Sequence, residues 1–215
     1  MAAYDLEEQE QLSAIKAWWE KNGNIVTGVV LVFVLAVAAM QGWRWYDNKQ
    51  ALEAGVIYSA LSRAAEARDG GKVAVFADEL ANKHGKKVSA VLGALEAAHF
   101  AMEAGDTKTA RSRLEWAAAS KADPLVADLA RLRLAALQAD GKEYDAALGT
   151  LQAAPDAAFA GRFADLRGDI LFAQGKHEDA RAAYKLALDA AASAGAQAAT
   201  FRDLLQTKLD ALGGA

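Results

Sequence analysis

Apolar and polar positions are distributed unevenly along this chain. No charged residue lies between Lys21 and Arg44, and Ile25 to Met40 reads IVTGVVLVFVLAVAAM, apolar on every face of a helix. At a rise of ~1.5 Å per residue, roughly 20 helical residues cover a hydrocarbon core of ~30 Å. The stretch therefore predicts a transmembrane helix over residues 25–45, with Ile25, Val29, Val32, Phe33, Leu35, Val37 and Met40 in the membrane anchor. Trp18 and Trp19 precede it and Trp43 and Trp45 follow it; such amphipathic rings suit the headgroup level. A buried core helix rarely stays apolar all round for this long. Ala36-Val37-Ala38 resembles a signal cleavage site, but a cleaved signal begins short and positive. Here residues 1–24 carry Asp5, Glu7, Glu8, Glu10 and Glu20 against Lys16 and Lys21. The segment reads as an uncleaved signal-anchor behind a tail of residues 1–24. Lys16 and Lys21 before the span, and Arg44, Lys49 and Arg63 after it, leave the orientation open on charge alone. Within the tail, Leu12, Ile15 and Trp19 form a one-sided apolar stripe on a short helix expected to end at Asn22-Gly23-Asn24.

Beyond Asp47 the apolar residues keep helical spacing and show no strand-like alternation. Leu125, Leu129, Leu132 and Ala136 recur at i, i+4, i+7 and i+11, while Phe201, Leu204, Leu205, Leu209 and Leu212 line one face of a last helix. Glycine and proline interrupt the pattern at Gly70-Gly71, Gly85, Gly105, Pro124, Gly141, Pro155 and Gly175. About nine helices after the anchor follow from these breaks. Three of the turns share an internal repeat, a glycine followed five residues later by alanine: Gly105 and Ala110, Gly141 and Ala146, Gly175 and Ala180. The spacing lies near the period of tetratricopeptide repeats. In the third unit Gly168, Gly175, Ala180 and Tyr184 occupy that repeat's typical positions, with Ala98 and Leu134 standing where Gly168 does in the earlier units. The fold expected is all-α: a single N-terminal transmembrane helix followed by a tetratricopeptide-repeat-like α-solenoid of helical hairpins over residues 46–215. Stacked hairpins create an elongated surface suited to peptides or other proteins.

Composition agrees with helices. Alanine supplies 54 of 215 residues and proline only 2, and alanine has the best helix propensity. Cysteine is absent, which excludes disulfides, thiol catalysis and Cys-ligated metals. A net charge of −4 argues against nucleic acid as a partner. His84, His99 and His177 lie on separate helices without metal-ligand spacing. His84 and His177 adjoin turns and read as solvated, His99 as packed. Neither a nucleophile elbow nor a phosphate-binding loop is present, and Gly70-Gly71-Lys72 reads as a turn. Lys83, Lys86 and Lys87 form the densest basic cluster. No catalytic, cofactor-binding or metal-binding residues emerge, and no cofactor is expected.

Several longer motifs stand together in order: YDLEEQEQL (Tyr4 to Leu12), KAWWEKNGN (Lys16 to Asn24), AMEAGDTKTARSRLEWA (Ala101 to Ala117), ARLRLA (Ala130 to Ala135), YDAAL (Tyr144 to Leu148) and LRGDILFAQGKHEDARAAY (Leu166 to Tyr184). In this conjunction the chain resembles the ancillary SecYEG translocon subunit family. The resemblance implies a non-enzymatic bacterial inner-membrane protein, single-pass, with a cytoplasmic N-terminus and a periplasmic repeat domain. The partners it implies are the SecYEG translocon, a membrane-anchored periplasmic chaperone of the peptidyl-prolyl isomerase type, and unfolded secretory or outer-membrane clients, with membrane lipid around the anchor. It also implies a tail that restrains a stress-response regulator.

Overall fold

A computed structural model describes residues 2–193 and 198–213, with side chains from residue 11 onward. Every regular element among them is helical: Ala2–Glu66 (α1), Gly70–His84 (α2), Val88–Glu103 (α3), Thr107–Ala118 (α4), Pro124–Asp140 (α5), Tyr144–Thr150 (α6), Ala157–Ala173 (α7), His177–Ser193 (α8) and Ala199–Ala211 (α9). Among the described residues eight helices therefore follow α1, rather than about nine following the anchor. The chain divides into two compact units, Met1–Gln50 and Ala51–Ala215.

In the first unit α1 runs without a break through Asn22-Gly23-Asn24, where a helix end was expected. The Asn22 side chain donates to the Trp18 carbonyl at 3.0 Å, inside the helix, instead of capping it. The Trp19 ring covers Gly23, where an added Cβ would sit 3.1 Å from Nε1. A glycine costs a helix only ~1 kcal/mol, which the helix formers on either side absorb.

The second unit is a chain of local cores. Ala54, Leu61 and Ala64 of α1 meet Val73, Ala77 and Leu80 of α2 and Ala90 and Ala97 of α3. Val91 and Leu95 of α3 then meet Leu114 of α4 and Leu134 and Leu137 of α5. Ala135, Ala147, Leu151, Phe163 and Ile170 join α5, α6 and α7, and Ala180, Tyr184, Ala187, Leu205 and Leu209 join α8 to α9. From α2 onward each helix packs on its successor, and α5 also touches both α3 and α7. This arrangement gives α5 neighbours on several sides. Its buried positions are Ala127, Asp128, Ala130, Leu134, Ala135, Leu137 and Gln138, while Leu125 is 44% exposed. A helix with neighbours on several sides buries small residues where backbones approach, and here Leu129 and Leu132 also pack against the cores. In α9, Leu205 and Leu209 are buried and Leu204 is exposed.

The turns carry the repeat more faithfully than the glycines do. Among the described residues four have positive φ in the hairpin turns: Arg68 (53°), Gly105 (77°), Lys142 (60°) and Gly175 (74°), spaced 37, 37 and 33 residues apart. Each donates its N–H to the carbonyl three residues back, and the next residue donates to the carbonyl five back. The latter bonds are Asp69 to Ala64 (2.9 Å), Asp106 to Ala101 (2.8 Å), Glu143 to Gln138 (2.8 Å) and Lys176 to Leu171 (2.9 Å). This is a left-handed helix C-terminus satisfying orphan carbonyls. Five residues after each positive-φ position stands a fully buried side chain: Val73, Ala110, Ala147 and Ala180. The second unit is thus one residue out of the expected register. Gly141 has φ −75°, and Ala146 is exposed while Ala147 is buried. A further unit begins at Arg68, ahead of Gly70 and Gly71, which open α2 instead of forming the turn.

Candidate functional site

Among the described residues the apolar stretch of α1 in the first unit is left largely exposed. Ile25, Val29, Val32, Phe33 and Leu35 are each at least 60% exposed, Met40 is 49% exposed, and Val37 is half-buried. Trp18, Trp19, Trp43 and Trp45 are exposed at its two ends, the first two with ring centroids 6.5 Å apart. The helix is long and apolar enough to cross a membrane. A continuous apolar surface of this size on a single helix is far larger than the scattered apolar residues of a soluble surface.

In the second unit the third hairpin shows what its signature residues do. A Cβ on Gly168 would lie 2.4 Å from Tyr184 Cε1, so only glycine lets α7 approach the ring on α8. Tyr184 is buried, and its hydroxyl donates to Asp169 Oδ1 at 2.8 Å. Lys208 of α9 lies 5.3 Å from the ring centroid and donates to Asp165 (2.6 Å) and to both oxygens of Asp169 (2.7 and 2.9 Å). Burial raises the Asp165 carboxyl above its usual range despite the lysine. Burial alone would lower Lys208, but its bonds to Asp165 and Asp169 outweigh that and raise it. Tyr184 is pushed up by burial and by its bond to Asp169. Arg181 bonds the Leu212 and Gly213 carbonyls and so holds the end of α9 to α8. Gly175 and Gly105 supply left-handed turns, while Ala180 and Ala110 sit in the helix contacts that follow.

Other polar contacts join successive units. Arg111 grips Glu143 with both terminal nitrogens at 2.8 and 2.5 Å, which holds the Glu143 carboxyl below its usual range. Buried Asp128 accepts from the Asp156 N–H at 2.7 Å and pairs with Arg131 at 2.7 Å. Between α1 and α3 lies a hollow of about 390 Å³ lined by Tyr58, Glu66, Glu96, His99, Phe100 and Glu103.

His84 and His99 depart from expectation, whereas His177 is exposed as expected. His84 is 7% exposed, with Nδ1 unpartnered, because it continues the buried stripe of Val73, Ala77 and Leu80 to the end of α2. His99 points outward and pairs with Glu103 at 3.6 Å. His177 is exposed and meets Phe172 across the turn, ring centroids 5.2 Å apart. Among the described residues no group of three or more His, Asp or Glu gathers closely enough to hold a metal ion. The lysine–aspartate cluster went unread in the sequence, because its members stand 39 and 43 residues apart. The His84 stripe was readable at i, i+4, i+7 and i+11.

Comparison with known proteins accounts for both units. The tetratricopeptide repeat-like domain family matches residues 16–214. A protein of Neisseria gonorrhoeae named ancillary SecYEG translocon subunit is 30% identical, over 99% of this chain and all of the relative. Proteins of the same name from Haemophilus influenzae and Escherichia coli are 29% and 30% identical, over 74% and 67% of this chain and 78% and 69% of their own lengths. With its repeats, its apolar helix and these relatives in agreement, the chain belongs to the ancillary SecYEG translocon subunit family, tetratricopeptide repeat-like in its helical body.

Proposed function

We propose that this protein is a non-enzymatic adaptor, anchored in the bacterial inner membrane by residues 25–45 and associated with the SecYEG translocon. The carrying observation is the all-round exposed apolar surface from Ile25 to Leu35, in a chain whose relatives bear the translocon-subunit name. Lipid is the solvent that suits that surface. The tail, residues 1–24, faces the cytoplasm and the repeat body, residues 46–215, faces the periplasm, where it meets emerging secretory or outer-membrane chains and passes them to a peptidyl-prolyl isomerase-type chaperone. Stacked hairpins support this role because they offer broad surfaces for weak contacts. Tethering beside an exit site raises the effective concentration of a weak binder to about millimolar.

Photo-crosslinkers placed along the body in intact membranes test this reading. Products with translocon subunits and with arrested secretory chains are expected. Crosslinks confined to one folded protein would favour an envelope scaffold instead. Protease added outside sealed spheroplasts should digest the body and spare an N-terminal tag; the opposite pattern reverses the orientation.

A further inference from the structure

Trp116, in the last turn of α4, separates two hollows in the repeat body. One, of about 630 Å³, runs between α2 and α4 and is polar, lined by Asp78, Asn82, Lys108, Ser112 and Arg113, with Arg113 paired to Asp78 at 2.6 Å. The other, of about 460 Å³, lies between the turn after α2 and the turn after α4. Its walls are Gly85, the Trp116 indole, Ala119 and Ala122, and Lys86, Ser120 and Lys121 join them. Gly85 suits the end of α2. A Cβ there would meet the Ala81 carbonyl oxygen at 2.7 Å and lie at an ordinary contact distance, 3.5 Å, from Trp116 Cζ2.

We propose that this second cleft receives the carboxyl end of a polypeptide, with an apolar last side chain against Trp116 and its free carboxylate toward Lys86 and Lys121. Three observations carry the assignment. The volume is in the range of pockets that enclose one small ligand, about 300–1,000 Å³, and so suits a terminal residue better than a long segment. Among the described residues neither Lys86 nor Lys121 is held in an ion pair, whereas Lys72, Lys83 and Lys208 are paired at 2.9, 2.8 and 2.6 Å. The Ser120 hydroxyl accepts from the Ala122 N–H at 3.2 Å, which leaves its own hydrogen available to an anion. A chain terminus is the one place in a polypeptide where a carboxylate and an apolar side chain share a residue, and capture of that carboxylate is a recurring recognition mode. The carbonyl ends of α2 and α4 lie at the same turns, so the lysines first offset a partial negative charge; the expected affinity is modest and salt-sensitive. The inference stands on the cleft alone and holds in either compartment.

The test uses the full chain in nanodiscs of zwitterionic lipid. A short uncharged peptide ending in phenylalanine, labelled with fluorescein at its N-terminus, is titrated by fluorescence anisotropy. Amidating its carboxyl end, or replacing the phenylalanine with glycine, should each weaken binding about tenfold, equal to about 1.4 kcal/mol. The double variant Lys86→Glu/Lys121→Glu should do the same while leaving the circular dichroism melting curve in place, since both side chains lie on turns. Trp116→Ala should lose binding to acid and amide forms alike. Equal binding of acid and amide overturns the proposal, as does unchanged binding by the lysine variant. It is also overturned if the lysines bind only vesicles of anionic lipid and no peptide.

Discussion

The Ile25–Met40 stretch of α1 and the helix pairs from Ala51 onward are both helical and both rich in small and aliphatic residues, yet they treat them oppositely. The first turns Val32 and Phe33 outward at 67% and 69% exposure; the second buries Ala77, Ala110, Ala130 and Ala187 completely. The lesson concerns contact distance. Alanine stabilises the body by letting helix backbones come close, and larger side chains such as Leu61, Leu114 and Tyr184 fill the space between them. The anchor-like stretch needs no such fit, because its partner is a fluid. The same residue type is therefore neutral in one unit and restrictive in the other.

Substituting Val32→Asp together with Leu35→Asp should produce the largest effect. Each aspartate near the middle of a spanning helix costs ~2.5–3.5 kcal/mol, so the protein should move from the alkali-resistant membrane pellet to the extract. Retention in the pellet would erase the contrast between the units.

Gly168→Ala should destabilise the body by ~1–3 kcal/mol, the usual cost of overpacking. Gly28→Ala should leave its unfolding unchanged, because nothing lies within 4 Å of an added Cβ there. Urea unfolding of both variants in the same micelles measures the difference.

The turn register makes a finer test. Gly175→Ala places a side chain at φ 74° and should cost ~1 kcal/mol, whereas Gly141→Ala, at φ −75°, should stay within ~0.5 kcal/mol of the parent. Equal costs would restore Gly141 to the register first expected of it.

A smaller effect is expected at alkaline pH. Lys208 and Tyr184 both hold their protons more tightly in the fold than at their ordinary values of 10.5 and 10.0. Their contribution is complete below pH 10 and is lost as pH rises past those values. The melting temperature should fall above pH 10, and Lys208→Met should flatten that decline. An unaltered slope in the variant would assign the decline to other groups.

Much of this was legible in the residues. The uncharged run between Lys21 and Arg44 and the glycine–alanine spacing pointed to a spanning helix and a tetratricopeptide-like body, and the third unit's glycine and tyrosine to a close helix contact. Errors arose where one residue type stood for a conformation. Lys142 and Arg68 adopt the left-handed turn that glycine signals, so the repeat at Gly141 shifted by one residue and the further repeat at Arg68 escaped notice.

Local chemistry, then, determined the helices, the apolar anchor and the repeat period, since propensity, hydropathy and turn stereochemistry act over a few residues. Only the tertiary structure decided which alanines are buried, that Lys208 reaches Asp165 and Asp169, and that Trp116 walls a cleft beside two unpaired lysines. Those contacts join residues from different helices, and their distances depend on how closely the helices pack.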